Sequence, residues 1–108
     1  MAITLEQIKQ MLESAVGFQG KVAYRAFPEN EAPALPYICF LAEKSNNFAA
    51  DGTVYLPITA VSIELYTRVK DPQSEAAVEA VLAPFFWNKT EIFIDSENCY
   101  QITYEIEV

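Results

Sequence analysis

The chain has 108 residues, 52% hydrophobic and 20% charged, which specifies one folded domain over residues 1–108 and excludes intrinsic disorder. Seven basic residues against fifteen acidic ones leave a formal charge of −8, with no window rich in Lys or Arg, so the balance argues against specific nucleic-acid binding and against an anionic membrane surface. With no histidine, the Ser-His-Asp and Cys-His nucleophile schemes, His-bearing zinc sites and the usual neutral-pH switch are all removed.

The first helix begins at Thr4, an N-cap with Gln7 three residues on, and Ile3 and Ile8 are placed to staple its entry. Leu5, Ile8, Leu12 and Ala15 or Val16 recur at helical spacing, and Gly17 reads as the left-handed residue that ends the helix. Lys21–Phe27 reads as a strand. Pro28, Pro33 and Pro36 then make the connection extended and bar both helix and central strand. Tyr37–Ala42 is a continuous apolar run, the pattern of a strand covered on both faces. The polar stretch from Lys44 to Pro57 reads as a long loop, with pairing resuming near Val54. Thr59–Thr67 then alternates, with Val61, Ile63 and Leu65 on one face.

Asp71-Pro72 opens the second helix, with Asp as N-cap and Pro where its missing N–H costs nothing. Val78, Val81, Leu82 and Phe85 form its core stripe, and Pro84 ends it near Leu82, leaving Phe85-Phe86-Trp87 open between core plug and subunit contact. Ile92–Ile94 and Tyr100–Val108 read as a hairpin around Asp95–Asn98. The order α-β-β-β-α-β-β specifies an α+β fold: a mainly antiparallel sheet of four to five strands with two helices on one face.

Little in this inventory carries chemistry. The cysteines, Cys39 and Cys99, lack CxxC spacing and sit in apolar runs, so both read as buried and reduced. The glycines match no phosphate-binding loop, and no serine lies in a GxSxG context. Glu105 and Glu107, two apart on a strand, share a face that Glu64 can join. A solvated outer face explains them better than a carboxylate pair or a metal site. No catalytic, cofactor or metal residues are assigned. The start, Met1-Ala2-Ile3-Thr4, shows neither a basic nor an apolar leader segment, and no uncharged stretch reaches membrane-spanning length.

Charge and loop length are more informative. Residues 91–108 contain Glu91, Asp95, Glu97, Glu105 and Glu107 but no Lys or Arg, while Arg68 and Lys70 lie on earlier elements. Three readings stay open: solubility, repulsion of nucleic acid, or complementarity between copies in a head-to-tail assembly. In the long loop, Asn46, Asn47, Phe48 and Asp51 form a candidate partner-binding segment, with Phe48 open between core and partner.

Several segments together resemble a known family: Phe48-Ala49-Ala50-Asp51 with Val54-Tyr55, Ile63–Thr67 running into Lys70-Asp71-Pro72, Ser96-Glu97, and the ending Tyr100–Val108. They are similar to the tail terminator, or tail-completion, proteins that join tail to head in long-tailed bacteriophages and prophages. The resemblance spans nearly the whole chain and rests on structural rather than catalytic motifs. It implies an α+β subunit without cofactor, a hexameric ring capping the tail tube, and as partners other copies of the chain, the tube protein and the head connector, all within the virion. Arg68, Lys70, Glu97, Glu105 and Glu107 are the candidate ring contacts. An acidic, DNA-mimicking inhibitor or another protein-binding module is the alternative.

Overall fold

The computed structural model describes residues 3–50 and 52–108, with the side chains of Phe48–Ala50 and Val54–Leu56 left aside. Helix α1 spans Leu5–Glu13 and α2 spans Pro72–Val81; the strands are β1 (Val22–Tyr24), β2 (Tyr37–Ser45), β3 (Phe48–Ala50), β4 (Thr53–Leu56), β5 (Thr59–Thr67), β6 (Asn88–Ile94) and β7 (Cys99–Glu107). Five strands form one sheet in the order β1-β2-β5-β7-β6, and β3 and β4 pair separately as a hairpin. With that hairpin set aside, the sheet and helices follow the expected α-β-β-β-α-β-β order.

Local chemistry explains the helix ends. The Thr4 and Gln7 side chains each accept from the other's backbone N–H, closing a capping box. Helix α1 stops earlier than the glycine suggested: the Ser14 hydroxyl turns back to donate to the Met11 carbonyl, and a further turn leads to Gly17 at φ +90°. Asp71 caps α2 by accepting from the Ser74 N–H, and the helix ends at Val81, ahead of Pro84.

The sheet is mostly antiparallel, but β1 and β2 run parallel, with Val22 beside Ile38 and Tyr24 beside Phe40. A parallel pair cannot be closed by a tight turn, and this is what the proline-rich crossover 25–36 supplies. The first strand is shorter than the expected Lys21–Phe27, because Arg25 takes a left-handed conformation at φ +66° and ends the regular pairing. Strand β2 runs beyond Ala42 to Ser45 through a bulge between Leu41 and Lys44.

Alternation on the central strands gives the sheet two unlike faces. Val61, Ile63 and Leu65 of β5 lie opposite Ile106, Tyr104 and Ile102 of β7, and all six are buried. Ile38 and Phe40 extend this layer, and Ile8 and Leu12 of α1 with Val78 of α2 and Leu82 close over it. Among the described residues, the other face carries no helix. Phe85 and Trp87 pack against the core, and the Trp87 ring meets Tyr104 edge-on, with centroids 5.5 Å apart. Phe86 between them points outward and is 83% exposed.

Both cysteines are buried and unpaired, as expected. Burial, with the Glu64 carboxylate nearby, pushes the Cys39 thiol up to about 11, and burial likewise raises Cys99. Both thiols should therefore label slowly with a thiol reagent in the native protein and at the unfolded rate in denaturant. Fast native labelling would mean that β2 and β7 open readily.

Candidate functional site

The candidate residues fall into three places. The first is the root of the β3–β4 hairpin. Here the Asn46 N–H donates to the Ile58 carbonyl at 2.8 Å, and the Asn46 side-chain amide donates to Glu107. Asn47 accepts from the Ile58 N–H at 3.0 Å. These two residues clamp the hairpin to the sheet. The Phe48 side chain and Asp51, the other two residues expected to bind a partner, lie outside the described part of the chain. The supposed loop is thus largely strand: Ala49 pairs with Val54 and Ala50 with Thr53. Turn-rich composition hid it, because an Asp-Gly dipeptide in a sequence signals a loop and a hairpin turn alike.

The second place is the helix-free face. Glu105 and Glu107 share it with Glu64, because Ser62 lies opposite Glu105, Ala60 opposite Glu107 and Glu64 opposite Thr103. The Tyr66 hydroxyl donates to Glu64 at 2.9 Å and accepts from the Gln101 amide at 3.1 Å. Burial and that bond to a carboxylate push the Tyr66 phenol above its ordinary value, so it stays protonated. A shallow groove of about 770 Å³ runs across the end of this face between Leu41, Lys44, Asn46, Phe86, Glu105 and Glu107. Among the described residues, no group of His, Cys, Asp and Glu is arranged to hold a metal ion.

The third place was not visible beforehand. Glu75 of α2 is only 4% exposed, yet it takes Lys70 at 2.6 Å and Lys89 at 3.0 Å. Lys70 also reaches Glu91 of β6 at 2.6 Å, and Lys89 reaches Glu79 at 2.8 Å. The Tyr104 hydroxyl, from the core side, donates to Glu79 at 2.7 Å. Two lysines and three glutamates thereby bolt α2 to β6. Its one sequence signal is the i, i+4 spacing of Glu75 and Glu79, which puts both on one side of α2.

This arrangement bears on the candidate ring contacts. Lys70 is engaged inside its own subunit, so reversing its charge would damage the domain before it tested any ring. Arg68 follows β5, whose last residue Thr67 pairs with Tyr100, and so lies at the same end of the sheet as Glu97 in the 95–98 turn. Glu105 and Glu107 lie toward the opposite end of β7, roughly 20–26 Å from Cys99 at about 3.3 Å per residue. The acidic hairpin is therefore two separate patches. No family model, curated protein or solved structure matches the chain.

Burial pushes the Glu75 and Glu79 carboxyls up, but hydrogen bonds from Lys70, Lys89 and Tyr104 more than reverse this and hold both below the usual carboxylate range. Their contribution to stability is then fully present above the unfolded carboxylate pKa and is lost as pH falls through the lowered folded values. Lys89→Met, which keeps the apolar stem, should destabilise the domain by about 1–2 kcal/mol at pH 7, allowing for the water that still reaches Lys89. The deficit should shrink as pH drops below about 4, where unfolded carboxylates protonate. A deficit that stays the same in acid, measured by denaturant unfolding, would count against this account.

Proposed function

We propose that this chain is a non-enzymatic virion assembly protein: a subunit of the ring that caps the tail tube of a long-tailed bacteriophage and joins tail to head. The observation that carries the reading is the combination of an α+β body with a two-stranded arm rooted in it, the arm containing the Phe48–Tyr55 segment on which the family resemblance partly rests. The other segments of that resemblance, Ile63–Thr67 and Tyr100–Val108, lie on or beside the two central strands, so the likeness concerns the body of the fold and not a peripheral element. The radius of gyration, 14.7 Å, exceeds the roughly 13 Å of a closely packed chain of this length, as suits a body with an arm.

The chemistry of the described side chains suits assembly better than catalysis. Cys39 is a protonated thiol at neutral pH, the phenols of Tyr66 and Tyr104 are held protonated, and Glu75 and Glu79 are neutralised by lysines. The DNA-mimic alternative needs free carboxylates spaced along one face. It finds less support, because Glu91 is paired with Lys70, Glu43 with Arg25, and Glu107 accepts from Asn46.

Deleting the gene from its phage or prophage tests the proposal directly. Electron micrographs of the lysates should show tails of irregular, excessive length without heads attached, and the purified protein should restore head joining when mixed in. Tails of normal length joined to heads in the deletion strain would refute the reading.

A further inference from the structure

We propose that β6 is an acceptor edge for strand addition and that its occupant is the β3–β4 hairpin of a second copy of this chain. The sheet's two edges are treated differently. Strand β1 is three residues long and ends at Arg25 in a left-handed conformation, the kind of break that blunts an edge. Strand β6 spans Asn88–Ile94 with no proline and no irregularity, pairs among the described residues only with β7, and presents Ile92 at 50% and Phe93 at 43% exposure. Alternate backbone N–H and C=O groups along such a strand face away from its only neighbour, and an extended segment can pair with them.

The hairpin supplies that segment. Strands β3 and β4 pack chiefly on each other, and a two-stranded hairpin by itself is marginally stable, so a third strand is what it lacks. It cannot reach β6 of its own chain, because it leaves the sheet between β2 and β5 while β7 separates β5 from β6.

Charge selects these two surfaces. Copies of a −8 chain repel one another, so contact is favoured where the local charge is smallest. Strands β3 and β4 contain no charged residue. On β6 the two charged side chains, Lys89 and Glu91, are drawn to the helix side by Glu75, Glu79 and Lys70. The contact joins two different surfaces, so it is heterologous, as a ring requires. The proposal deepens the ring reading and rests on it only for closure of the assembly.

Disulfide trapping tests it. Thr53 and Ile92 are both exposed, and the native cysteines are buried. Thr53→Cys and Ile92→Cys proteins, mixed and oxidised, should give the mixed disulfide dimer as the dominant product. Adding Phe93→Lys to the Ile92→Cys chain should abolish that dimer while a thermal melt shows the domain still folded. Predominance of Ile92→Cys homodimers would mean two-fold pairing of β6 with itself and would overturn the proposal. So would the absence of cross-linking at the highest soluble concentration. Native mass spectrometry of an oxidised Thr53→Cys, Ile92→Cys double variant separates the two readings: closed rings support both, whereas open chains uphold strand addition and sink ring closure.

Discussion

The β5–β7 register puts Ile63 opposite Tyr104 and Leu65 opposite Ile102, and on the reverse side Ser62 opposite Glu105 and Glu64 opposite Thr103. Every other feature of the molecule depends on that alignment. Because side chains alternate along a strand, a slip of one residue would carry Glu105 and Glu107 under the helices and expel Ile102, Tyr104 and Ile106. Burying unpaired carboxylates costs far more than the slip could recover, so the two central strands admit one pairing. Helices α1 and α2 then have a single apolar face to cover.

Tyr104 links this core to the electrostatics. Its ring is fully buried against Trp87, while its hydroxyl emerges beside Glu79 and so touches the only large charge network found among the described residues. Lys70 and Lys89, two of the seven basic residues, are placed within this network and hold the sheet's outermost strand against α2. Such a network adds little stability for its size, since Lys70 and Lys89 remain partly hydrated. Its larger effect is positional. An edge strand tied to β7 on one side and to α2 through Lys70 and Lys89 has less freedom to lose on pairing with a further strand.

The same network alters the view of the surface. A chain of net charge −8 looks uniformly repulsive when counted residue by residue. Folding divides it into an acidic end at Glu105 and Glu107, a mixed end at Arg68 and Glu97, and two uncharged hairpin strands with an edge strand whose two charges are drawn to the helix side. Self-association, where it occurs, is steered by that division and not by the total.

Much of the fold was legible because it rests on local rules. Thr4 with Gln7 and Asp71 with Pro72 mark helix starts through groups that lie within one turn. Strict alternation from Tyr100 to Val108 marks a half-covered strand, and the apolar run at Tyr37 marks one covered on both sides. Burial of Cys39 and Cys99 was legible too, because both were read as small apolar side chains within strand-like stretches. What it could not settle depends on partners distant in sequence. Whether β1 runs parallel to β2, whether Lys70 meets Glu91 or a neighbouring subunit, and whether Glu97 and Glu105 form one patch or two are all decided by which strands lie side by side. Composition counts charges and periodicity assigns faces, but pairing across the sheet determines which charges meet. That is why the core was readable from the sequence, while the lysine–glutamate bolt and the open β6 edge appeared only in the tertiary structure.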